Sequence, residues 1–98
     1  MKSTKTYVVH SDPGHAWIAV PIKELFELGI QDKITSYSYI KGKSAYLEED
    51  CDLSTFFKAF RDRFGKDPAY RDGKYWDRCP VRSFDSYTEA SLDRAMNG

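Results

Sequence analysis

The chain lacks most features that assign a protein to a class at a glance. It has no charge surplus: fifteen lysines and arginines stand against fifteen aspartates and glutamates in 98 residues. That balance excludes a histone-like wrapper of nucleic acid or a polyanion-coating tail. It has no long apolar run. The longest, from Ala16 to Ile22, falls far short of the roughly 20 residues that a membrane-spanning helix needs, so no membrane partner is expected. Cysteine is scarce too. Cys51 and Cys79 form no CxxC pair and no Cys/His quartet, which argues against structural zinc and for free thiols. The basic start, Met1-Lys2-Ser3-Thr4-Lys5-Thr6, leads into Tyr7-Val8-Val9-His10 rather than an apolar targeting core. An intracellular protein is the expectation. No repeat, low-complexity stretch or linker is visible.

What is present suffices for a packed core. Hydrophobic residues make up 41% of the chain and aromatics 15%, enough buried surface to offset chain entropy in one domain spanning 1–98. Residues 7–10 and 15–20 read as two strands joined by the turn residues Ser11-Asp12-Pro13-Gly14. Pro21 suits a helix start, Ile22, Leu25 and Phe26 share one helical face, and Gly29 suits its end. Residues 35–40 alternate as a strand, 41–43 turn, and 44–47 return. Asp52 or Ser54 caps the next helix, whose stripe of Leu53, Phe56, Phe57, Phe60 and Phe64 is core, with Gly65 as its stop. Asp72-Gly73 reads as the turn of a short hairpin between Tyr70 and Tyr75. Residues 81–84 read as a further strand, and Ser86–Glu89 as a capping box opening a helix through Met96. The expected fold is α+β: a small antiparallel sheet built from hairpins, with two to three helices packed on one face.

Three stretches carry candidate chemistry. Both histidines, His10 and His15, flank one tight loop with Asp12 between them. Two imidazoles and a carboxylate can hold a divalent metal or supply a general base. The plainer alternative is an Asx turn at Asp12 with the histidines as cross-strand neighbours.

The second stretch, Glu48-Glu49-Asp50-Cys51-Asp52, puts four carboxylates around a thiol at a helix entrance. A cysteine there, with a histidine on a strand, is similar to the layout of papain-like and NlpC-type hydrolases, though with His before Cys as in circularly permuted members. His10, Asp12, His15 and Cys51 are therefore the catalytic candidates. The flanking acids oppose this, because they disfavour the thiolate. Glu48, Glu49, Asp50 and Asp52 read instead as an anionic patch for a basic partner surface.

The third stretch runs from Lys58 to Arg82, with eight basic residues against four aspartates. Tyr70, Arg71, Tyr75, Trp76 and Arg78 have the composition of a protein-interface hot spot. They equally suit a single-stranded nucleic-acid groove, but an aspartate every five residues would repel phosphates.

His10-Ser11-Asp12-Pro13-Gly14-His15, Trp17, Leu28-Gly29-Ile30, Ser36-Tyr37-Ser38-Tyr39 and Tyr46-Leu47-Glu48-Glu49-Asp50-Cys51-Asp52 together resemble a group of short hypothetical proteins of bacteriophages, plasmids and other mobile elements. The resemblance covers roughly residues 7–60. It implies a bacterial cytoplasmic setting and an accessory role, with counter-defence against restriction or CRISPR machinery as the analogy. The expected function is binding of a host macromolecule, protein foremost. A metal- or thiol-dependent hydrolase and a nucleic-acid-binding module are the alternatives. No cofactor motif is present, and the sequence does not set the oligomeric state.

Overall fold

Alternation decides how the centre of the sheet is built. In the computed structural model, which describes residues 5–97 except the side chain of Lys74, strands β1 (Thr6–Ser11) and β2 (Ala16–Pro21) form the expected hairpin. The reading of Met1–Thr4, and Lys74's share of the basic stretch, lie outside the described residues. Helix α1 (Ile22–Glu27) follows directly, with Pro21 at its N-cap, and β3 (Tyr39–Lys41) and β4 (Ser44–Glu48) form the second hairpin. Helix α2 (Leu53–Phe64), strand β5 (Ala69–Tyr75), a 3₁₀ turn (Pro80–Ser83), strand β6 (Asp85–Ser86) and helix α3 (Glu89–Asn97) complete the chain. The strand order is β5-β1-β2-β4-β3-β6.

The period of two sorts the side chains between the two faces. Ile18, Val20, Ala45 and Leu47 join Tyr7, Leu25, Phe56 and Phe60 in one buried cluster, against which Leu92 and Ala95 of α3 also pack. All three helices therefore cover this face. Phe56 and Phe60 are almost fully buried, each worth about 2–3 kcal/mol of burial, so the phenylalanine stripe is core as expected. The opposite face carries Trp17, roofed by Cys79 and Val81 with Tyr39, Tyr46, Trp76 and Phe84 around them. Both cysteines are free.

The fold is α+β, with five differences from the local expectations. The sheet is mixed, because β5 runs parallel to β1. Residues 70–75 form no hairpin. Gly73 lacks the positive φ of a turn glycine and serves close packing instead: a Cβ there would sit 2.8 Å from Val8 Cγ1 and 3.1 Å from the Val9 carbonyl. Residues 35–38 turn rather than extend, leaving β3 only three residues long. Residues 80–83 coil as a 3₁₀ turn that roofs Trp17. The cap of α3 also lies two residues later than Ser86. Thr88 and Ser91 cap each other reciprocally, Ser91 N donating to Thr88 Oγ1 (3.0 Å) and Thr88 N to Ser91 Oγ (2.9 Å).

Candidate functional site

The turn between β1 and β2 closes as the sequence implies, with Asp12 N donating to the His15 carbonyl at 3.0 Å. Asp12 Oδ1 accepts from the backbone of Gly14 (3.0 Å) and His15 (3.1 Å), an Asx-type turn. Its second role was not legible locally. Arg82 Nε donates to Oδ2 at 2.6 Å and Nη2 to Oδ1 at 2.9 Å, while Cys79 N donates to Oδ2 at 2.9 Å. The guanidinium, then the Cys79 amide, hold the Asp12 carboxyl far below the usual range. All its acceptor capacity is committed. Asp12 is thus a clamp for the roof over Trp17, not a metal ligand or the orienter of a base.

The two histidines go separate ways. His10, paired in register with Trp17, sets its ring against Tyr46 at 5.6 Å. Burial, then the charge of Arg71, lower its imidazole pKa. His15 instead faces the end of β4. The register Trp17↔Glu48 and the bond from Glu49 N to the Ala16 carbonyl (3.1 Å) bring the acidic turn beside it. Its Nδ1 lies 3.3 Å from Glu48 Oε2. Ligand atoms of His15, Glu48, Glu49 and Asp50 lie within 4.8 Å of one another. The metal-compatible grouping among the described residues is therefore this one, not His10, Asp12 and His15.

His15, Glu48, Asp50 and Cys51 share a cleft of about 280 Å³ with Trp17 and Arg82. That brings the two hydrolase candidates to one place. The chemistry opposes a nucleophile, however. Burial first, then contact with the Glu48 carboxylate and the charges of Asp52 and Asp50, push the Cys51 thiol up.

The anionic patch is smaller than its sequence suggests. Asp52 is fully buried and turns away from the helix it precedes. It accepts from Thr35 N (3.0 Å), Thr35 Oγ1 (2.8 Å) and Ser38 Oγ, and makes no side-chain cap to α2. These bonds fold residues 35–38 into their turn, the reason this segment is not strand. Ser38 Oγ in turn accepts from Glu48 N at 2.9 Å. Glu48 is also buried, so only Glu49 and Asp50 of the four acids face solvent.

The basic aromatic stretch resolves into two parts. Lys58 pairs with Asp62 (2.9 Å), Arg61 with Asp67 (2.8 Å) and Arg82 with Asp12, three of its eight basic residues. Tyr70, Arg71 and Tyr75 lie on β5, at the outer edge of the sheet. Tyr70 and Tyr75 are 57% and 63% exposed, and Arg71 and Arg78 are also exposed. Trp76, half-buried, turns inward to the Trp17 roof. Tyr70 stands beside Phe57 (ring centroids 6.0 Å apart), and with Leu53, Val9 and Glu49 they line a pocket of about 200 Å³. Sequence reasoning placed Glu49 and Tyr70 in separate patches; the parallel β5–β1 pairing makes them neighbours.

No protein-family model, curated protein or solved structure matches the chain. Among the described residues no helix is long and apolar enough to cross a membrane.

Proposed function

We propose that the protein is a small binding module that engages a host protein by adding an extended segment of that partner to the outer edge of β5. The observation that carries this reading is the coincidence of a strand edge that pairs with no other strand among the described residues with an apolar pocket at its side. An edge strand offers a row of unpaired backbone donors and acceptors, which supply affinity when a strand is added. The pocket beside Tyr70 and Phe57 supplies selectivity: it has room for one apolar side chain, and Glu49 at its wall favours a neighbouring basic residue. Tyr70 and Tyr75 add rigid aromatic area at low entropy cost. The aspartates that recur through the basic stretch favour a protein over a nucleic acid, since they would repel phosphates. In the mobile-element setting that the sequence resemblance implies, the partner is a bacterial protein, and a component of a defence system fits an accessory counter-defence role.

The test is capture from nuclease-treated bacterial lysate, comparing the wild type with Tyr70→Glu/Tyr75→Glu and with Phe26→Ser. The last removes an exposed apolar side chain from α1. The expected result is a partner retained by the wild type and Phe26→Ser, lost by the β5 variant, and cross-linked to residues 69–75. Equal retention by all three proteins would exclude the β5 edge. Self-pairing of the free protein through β5, seen as a dimer that the β5 variant dissolves, would replace the host partner with a second copy.

A further inference from the structure

The cleft at the end of β4 contains a carboxylate that its fold leaves incomplete. Glu48 Oε1 accepts from Asp50 N at 3.0 Å. Glu48 Oε2 is buried without a hydrogen-bond partner, although the side chain is only 7% exposed. A buried carboxylate oxygen left in this state costs free energy unless a hydrogen-bond donor or a cation completes it. His15 Nδ1 lies 3.3 Å from Oε2, the Cys51 thiol also touches the Glu48 carboxylate, and the Glu49 and Asp50 carboxylates complete the cluster within 4.8 Å. Arg82, which also lines the cleft, is committed to Asp12.

We infer that His15, Glu48, Glu49 and Asp50 form a binding site for a first-row divalent cation of the Mn²⁺ type. The donor set points to this class. Three carboxylates suit hard ions, while one imidazole shifts the preference from Ca²⁺ and Mg²⁺ toward Mn²⁺ and its heavier neighbours. Three negative charges exceed what one imidazolium could balance, so an ion pair with His15 alone leaves the cluster anionic. The site sits on the surface: Glu48 is the buried anchor and the other three ligands are exposed, which leaves coordination positions open to water or to a partner's carboxylate. The backbone pre-forms it through the bonds from Glu49 N to the Ala16 carbonyl and from Asp52 N to the Glu48 carbonyl (2.9 Å). Glu49 is shared with the pocket beside β5, but the cation is bound without any partner, so either reading stands if the other fails.

Titration of ¹⁵N-labelled full-length protein with Mn²⁺ tests it, with free ion followed by its electron paramagnetic resonance signal. The expected result is saturable loss of that signal, with paramagnetic broadening centred on the amides of His15, Ala16 and Glu49–Cys51. His15→Ala, a change at an exposed side chain, should weaken binding at least tenfold, as should the isosteric Glu48→Gln. Asp62→Asn on the exposed face of α2 should leave it unchanged. Because broadening is read on the wild type, a variant that misfolds does not blunt the test. No binding at millimolar Mn²⁺, or broadening centred on other surface acids, would overturn the site. So would equal affinity in His15→Ala and the wild type.

Discussion

At the residue scale the molecule spends its carboxylates internally. Asp12 and Asp52 stand beside turns in the sequence, and each gathers donors from segments far along the chain. Asp52→Ala strands the Thr35 amide, the Thr35 hydroxyl and the Ser38 hydroxyl around a buried void. It should cost about 3 kcal/mol of stability, read as a lower urea midpoint, while the β5 partner interaction persists. His10 gives a pH test. Burial and Arg71 depress its pKa in the fold, so the unfolded chain takes up the proton first as pH falls. The stability that depends on neutral His10 is full above about 6.5 and is lost as pH falls through the lower folded value. The urea midpoint should therefore drop as pH falls below about 6.5, and drop less in His10→Asn. An equal drop in the variant would show that other groups carry it. At the alkaline end, burial raises Tyr87 to about 12 and pushes Tyr7, hydrogen-bonded to Glu24, still higher. Stability should then fall as pH rises above about 10, with absorbance at the tyrosinate band showing a late-titrating fraction among the seven tyrosines.

At the element scale, β5 separates what the sequence revealed from what it concealed. Both central hairpins, α1 and the phenylalanine helix were legible because short-range periodicity and turn glycines determine them. Gly29, Gly42 and Gly65, each with positive φ, end or turn their elements as the pattern implied. Gly73 follows another logic. Asp72-Gly73 has a turn signature, yet the glycine is there to let β5 lie against β1, a long-range contact that no local pattern encodes. Gly73→Ala should destabilise the domain, since its Cβ would press on Val8 Cγ1 and the Val9 carbonyl. Val8→Ala should restore part of that loss, leaving the backbone contact; a strictly additive double variant in thermal melts would contradict the packing argument. The same kind of long-range rescue explains Asp52. Its cap signature was visible, but the donors on residues 35–38 outcompete the end of α2. For the candidate sites, the acids and histidines were visible as a composition. Which of them meet depended on the Trp17↔Glu48 register and on the parallel strand.

At the scale of the whole molecule, zero net charge coexists with a directional surface. The domain measures 35 × 30 × 20 Å, and β5 lays an edge of about 20 Å along one side, given roughly 3.3 Å per strand residue. That is long enough to hold a partner segment in register. The other sheet edge is the two-residue β6, too short to compete. Because backbone bonds and apolar burial at β5 supply most of the partner affinity, it should fall less steeply with salt than that of a phosphate-binding surface. The central claim, strand addition at β5, is tested most directly by amide hydrogen–deuterium exchange of the protein alone and bound to its captured partner. The account predicts new protection concentrated in Ala69–Tyr75, with β3 and β6 unchanged. Protection confined to other elements, with β5 exchanging as fast as in the free protein, would contradict it.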